Sequence, residues 1–276
     1  MAPGAAWRLR AVLSLCWAYL LMGALAGFLA GLLGIGGGLI LVAALVWVLP
    51  MQGVPEAALM HVALATSLAS IVFTGLSSAR AHWRRGSILW RSGLRLIPGV
   101  VLGGLLGGRL AAQLDGDWLR YGVALFCLSA ALQLLFGRTP QNANGIEPLS
   151  PWLWPAGLLI GVLSALVGIG GGSMTVPLLI ALGAAPVRAV GTSAACGVLI
   201  GLASALSYGW NAPADLAMPD GAFGYVYLPA ALMIAAASVF AAPQGAALAH
   251  RLPAQRLKQV FAGLLLLVAW QLAFAG

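Results

Sequence analysis

The sequence predicts an all-α polytopic membrane protein made of two five-segment inverted repeats, each with a glycine-broken helix followed by a half-helix. Three observations lead there. Of 276 residues, 62% are hydrophobic and only 7% charged, where soluble domains carry roughly 25% charged residues. The apolar runs come as five and five, on either side of a short polar linker. One unusual stretch, Gly34-Ile35-Gly36-Gly37-Gly38, recurs as Gly168-Ile169-Gly170-Gly171-Gly172.

Taken in order, the first repeat, residues 1–137, has runs at about 12–33, 38–50, 56–78, 91–112 and 118–137. The linker is 138–150. The second repeat, 151–276, has runs at about 152–167, 173–184, 187–209, 225–249 and 256–275. Arg8, Arg10 and Ala24-Leu25-Ala26 give the first run some likeness to a signal peptide, but it continues into the first glycine cluster and is expected to span. The second run of each repeat is too short to span straight, since a spanning helix needs ~20 residues. It reads as a half-helix that begins at the glycines. The halves superpose directly: residues 27–42 lie over 161–176, Thr66-Ser67 over Thr192-Ser193, and 107–111 over 245–249. Repeats with broken helices at matching places point to a transporter's binding site.

Lys and Arg outnumber Asp and Glu 14 to 6. In a soluble protein that excess suggests nucleic acid. Here the basic residues cluster in loops, where charge sets orientation, so the expected partner is a lipid bilayer and not nucleic acid. Placing Arg80, Arg84, Arg85 and Arg91 in the cytoplasm also puts Arg138, Arg188, Arg251, Arg256 and Lys258 there. Glu56, Asp115, Asp117, Asp215 and Asp220 then fall outside, and five crossings per half make the halves inverted. Eight crossings, with the short runs re-entrant or fused to a neighbour, is the competing count. Trp83, Trp90, Trp118, Trp152, Trp154 and Trp210 sit at run ends, as an interfacial belt requires. The three cysteines lie in apolar runs, with no Cys-x-x-Cys pair and no His at ligand spacing. Neither a disulfide framework, a metal site nor a cofactor is expected.

A helix that starts at Gly38 or Gly172 points unpaired amides and the positive end of its dipole into the break. That is an anion site without a charged side chain, and glycine lets an oxyanion approach the backbone. The candidate ligands are therefore Gly34, Gly36, Gly37 and Gly38 in one repeat and Gly168, Gly170, Gly171 and Gly172 in the other. The competing reading is close helix packing through small residues four apart, such as Gly34 and Gly38. On the anion reading, Gly37→Ala and Gly171→Ala should each sharply reduce transport while the protein still folds and inserts. The Thr66, Ser67, Thr192 and Ser193 hydroxyls are further candidates, against simple back-bonding to a carbonyl one turn earlier. Ser173 and Thr175 open the second half-helix, where the first has Leu39 and Leu41. His61 is a candidate proton relay or an interfacial residue beside Glu56. No carboxylate lies deep in any run. An intramembrane protease is not expected: Gly191-Thr192-Ser193 is followed by Ala194, and no His stands in a matching helix.

The motifs LLGIGGGLILV, ALATSL, HWRRGSI and LVGIGGGSMTVPLL together resemble the TauE/SafE family of sulfite exporters, from about Gly23 to Phe274. The resemblance implies a bacterial inner-membrane permease for sulfite, sulfoacetate or another small inorganic or organic anion. Two departures stand out. Ala43 lies where the second half has Pro177, and Gly224-Tyr225-Val226 replaces the second basic turn. A non-transporting membrane anchor or assembly partner is the alternative function, and a homodimer is left open.

Overall fold

The computed structural model describes residues 16–30, 37–136, 147–216, 218–249 and 254–274. Gly34, Gly36, Arg138 and Arg251 lie outside these. The described residues form ten α-helices: α1 (Cys16–Ala30), α2 (Gly38–Val48), α3 (Leu59–Arg84), α4 (Trp90–Ala111), α5 (Gly116–Phe136), α6 (Leu153–Val167), α7 (Gly172–Ala181), α8 (Pro186–Trp210), α9 (Leu228–Ala249) and α10 (Ala254–Phe274). Short 3₁₀ turns follow α2 and precede α3, and a two-residue hairpin, β1 (Ala222–Phe223) and β2 (Val226–Tyr227), precedes α9.

Helices and runs agree closely, and the two differences have local causes. The third run ends by hydropathy near residue 78, yet α3 continues to Arg84. Hydropathy marks where apolar surroundings end, while the backbone ladder continues and gains from His82 and Arg84 at the negative helix end. The ninth run starts at 225, but helix begins only at Leu228. Gly221 and Gly224 have φ of 85° and 53° and turn the chain into the hairpin instead. Pro177 does not stop α7, which is one residue shorter than α2.

Lipid gives little hydrophobic drive between helices, so close packing must supply it. Gly99, Gly103 and Gly107 form one face of α4 and press on the α6 backbone. A Cβ on Gly107 would stand 2.7 Å from Val162 O, and one on Gly103 would collide with Leu158 O. α6 answers with Gly157 against Leu96 O and Gly161 against Val100 O. α1 meets α9 in the same way: Gly23 lies on Ile234 O and Gly27 on Ser238, whose Oγ donates to Gly23 O at 2.7 Å. In the sequence superposition Gly23 and Gly27 correspond to Gly157 and Gly161, and Ile234 and Ser238 to Leu96 and Val100. The two contacts therefore recur residue for residue.

α3 and α8 cross at the centre and run antiparallel. Gly201 lies on Leu68, Gly75 on Val198, and Gly191 on Ser87 just past the end of α3. Around them sits the main core, with Val42, Leu45, Leu64, Leu68 and Tyr208 fully buried. Large apolar side chains face outward elsewhere, among them Leu125, Phe240 and Leu267. Five helical segments are long and apolar enough to span: 56–84, 90–111, 116–136, 186–210 and 228–245. Trp83, Trp90, Trp118, Trp152, Trp154 and Trp210 are all exposed at helix ends.

Candidate functional site

The second glycine cluster breaks the helix through two left-handed residues. α6 stops at Gly168, φ 76°, where the N–H groups of Gly168 and Ile169 converge on Ser164 O at 2.9 and 3.1 Å. Gly171, φ 74°, then turns the chain into α7, and Met174 and Thr175 donate to Gly171 O at 3.1 and 2.8 Å. The amides of Gly172 and Ser173 have no acceptor within the helix. In the first repeat, Leu41 is the first donor, to Gly37 O at 3.0 Å. That leaves the amides of Gly38, Leu39 and Ile40 without a helical acceptor. Gly37 itself has φ −76°, so a positive φ is required at Gly171 but not at Gly37.

The breaks meet beside the α3–α8 crossing. A Cβ on Gly38 would stand 2.5 Å from Gly168 O and 3.2 Å from Ile169 Cα. One on Gly197 would stand 2.7 Å from Gly170 O. Ser67 Oγ–H lies 3.1 Å from Gly38 O and 3.1 Å from Gly168 O, so one buried hydroxyl bridges both repeats. Close packing and freed amides thus occur at the same glycines. The expectation that alanine would separate those two readings at Gly37 fails, because a Cβ there would lie 2.5 Å from Ala26 O, a backbone atom.

Thr66 and Thr192 have matching partners. Thr66 Oγ1 accepts the N–H of Tyr227 at 3.1 Å, and Thr192 Oγ1 accepts that of Leu89 at 2.8 Å. Tyr227 and Leu89 are the residues just before α9 and α4. Each threonine therefore anchors the start of a helix. Thr192 also back-bonds to Arg188 O at 2.8 Å. Both residues are fully buried, and Ser193 is buried beside Thr192. Ser173 heads α7 with its hydroxyl unpartnered. His61 is buried and its Nε2 faces the carbonyls of Ala111 and Leu114 at 3.1 and 2.9 Å. It stacks on Tyr225 with ring centroids 4.8 Å apart, and so closes the C-terminal end of α4.

Three features had no strong signal in the sequence. Glu147 Oε1, at the end of the linker, accepts the N–H groups of Arg91 and Ser92 at 2.9 and 3.1 Å and caps α4. Ser164 and Ser204, each one small residue in an apolar run, are fully buried with unpartnered hydroxyls. The other five carboxylates, on Glu56, Asp115, Asp117, Asp215 and Asp220, are exposed, so none lies at the breaks.

Long apolar helices with large apolar side chains facing outward define a multi-pass membrane protein. The chain belongs to the family described as "Sulfite exporter TauE/SafE", which it matches over residues 19–272. It is 41% identical to a probable membrane transporter protein of Haemophilus influenzae, over 91% of this chain and 95% of that one. It is 27% identical to the probable membrane transporter protein YunE of Bacillus subtilis, over 92% and 96%. A probable membrane transporter protein of Methanocaldococcus jannaschii is 25% identical over 89% and 91%. No solved structure matches the chain.

Proposed function

We propose that the protein carries a small sulfur-containing or organic oxyanion, of the sulfite or sulfoacetate kind, across the bacterial inner membrane. Transport proceeds by alternating access at a midplane site between two inverted repeats, residues 1–137 and 151–276. The observation that carries this reading is the meeting of the two breaks, each presenting helix N-terminal amides, with no carboxylate beside them. Amides and hydroxyls donate hydrogen bonds and suit an anion; they offer a cation little. Inversion is supported by α3 and α8, which correspond in the superposition and run antiparallel. A repeat related by an axis along the membrane normal would leave them parallel. The anchor reading gives no reason for paired breaks at matching positions.

The test is uptake of radiolabelled sulfite and sulfoacetate into liposomes holding the pure protein. Saturable uptake above empty liposomes is expected. Saturable Na⁺ or K⁺ flux without an anion, or no flux of any oxyanion, contradicts the reading.

A further inference from the structure

The heads of α2 and α7 both leave helical amides free but differ in the side chains around them. Ser164, Ser173 and Thr175 surround the second break, and all three hydroxyls are without a hydrogen-bond partner among the described residues. Ser164 and Thr175 are 0% exposed. Ser164 Oγ points at the head of α7: a Cβ built on Gly171 would stand 3.5 Å from it. Ile160 and Ile200 close the same spot, at 3.4 and 2.5 Å from that Cβ position. Thr175 sits one turn along α7 from Gly171, joined to it by the 2.8 Å bond from its N–H, and so on the same side of the helix. In the first repeat the corresponding residues are Ala30, Leu39 and Leu41, none with a hydroxyl.

A buried hydroxyl without a partner carries a desolvation cost. In the neighbouring helices α3 and α8, Ser67 bonds to Gly38 O and Gly168 O, Ser207 bonds to Leu105 O and Thr192 accepts the Leu89 N–H, while Ser204, away from the break, is also unpartnered. Three unpartnered hydroxyls gather at the second break, where two helical amides are also free. An oxyanion has several acceptors on one atom and takes up such a group of neutral donors.

We propose that the substrate anion is held by the second break alone. The hydroxyls of Ser164 and Thr175 and the amides of Gly172 and Ser173 donate to its oxygens, and Ser173 Oγ adds a donor at the edge. At the head of α2 the corresponding Leu39 and Leu41 are buried and bring no hydroxyl to the free amides there. The inference rests on the oxyanion reading above and narrows it to one repeat.

The experiment measures binding of radiolabelled sulfite, and of sulfoacetate, to the full chain in nanodiscs, with thermal unfolding of the same samples. Ser164→Ala and Thr175→Val should each weaken binding by about tenfold or more, the size of one hydrogen bond to a charged group. Their melting temperatures should equal or exceed that of the parent, because each removes an unpartnered polar atom. Thr175→Ser should bind as the parent does. Ser207→Ala, which breaks a made bond, should melt lower and bind normally. Parent binding with unchanged affinity in both Ser164→Ala and Thr175→Val overturns the one-sided site and leaves the oxyanion reading standing. A fall in melting temperature that parallels the loss of binding makes these residues structural and also overturns it. Failure of the parent to bind any oxyanion removes both readings.

Discussion

Thr66→Val and Thr192→Val decide whether the matched threonines hold substrate or hold the fold. Valine keeps the shape and removes the oxygen. In Thr66→Val the Tyr227 N–H loses its 3.1 Å acceptor, and in Thr192→Val the Leu89 N–H loses its 2.8 Å acceptor. Both amides are buried, so neither finds water in exchange. A buried donor left unpaired costs about 1–3 kcal/mol. In a chain of this size class each kcal/mol lowers the melting temperature by roughly 2–4 °C. Each variant should therefore melt roughly 2–12 °C below the parent. Thr192→Val should lie toward the larger end, because it also loses the bond to Arg188 O. Thr66→Ser and Thr192→Ser keep an acceptor oxygen and should recover most of the loss. The assay is thermal unfolding in detergent, followed by tryptophan fluorescence, with anion uptake measured per folded molecule. A Thr66→Val protein that melts with the parent and has lost uptake refutes the anchoring role and makes the hydroxyl a ligand.

Other consequences follow from the same contacts. Ser67→Ala removes the bridge between Gly38 O and Gly168 O and should cost about 1 kcal/mol in thermal unfolding; an unchanged melting curve argues that the bridge adds nothing. Gly171→Ala forces φ 74° on a residue with a Cβ, at about 1–2 kcal/mol, against an Ile200 methyl that can swing away; it should yield folded protein that no longer transports. Gly37→Ala sets a Cβ on the Ala26 carbonyl and should reduce the yield of monodisperse protein on size exclusion before uptake can be compared. On a background with the native cysteines replaced, Arg85→Cys and Asp117→Cys should label with an impermeant thiol reagent from opposite sides of the membrane. Labelling of both from one side contradicts the five-plus-five crossing pattern.

The elements were legible because each has a local cause. Apolar runs give the helices, and Gly168 and Gly171 mark the second break through backbone conformations that only glycine adopts readily. The recurrence of Gly23-x-x-x-Gly27 as Gly157-x-x-x-Gly161 also held a packing face in plain view. What the hydroxyls do was not legible, since their partners lie far along the chain. Thr66 meets Tyr227 161 residues on, and Thr192 meets Leu89 103 residues back. Helical periodicity states which residues share a face and is silent on which face meets which helix. Glu147 reads as a linker charge until its carboxylate is found on the first turn of α4, 56 residues from Arg91. Ser164 is the extreme case, a single small polar residue in an apolar run. Only the folded chain brings it to Gly171 and leaves its hydroxyl unspent.

The central claim is that two meeting helix breaks make a carrier for a small oxyanion. The most direct measurement is uptake of radiolabelled sulfite into liposomes holding the pure parent chain, beside liposomes holding Gly171→Ala. The account predicts saturable uptake by the parent, competed by unlabelled sulfite or sulfoacetate and indifferent to exchange of Na⁺ for K⁺, with uptake lost in the folded variant. Equal uptake by the parent, the variant and empty liposomes contradicts it.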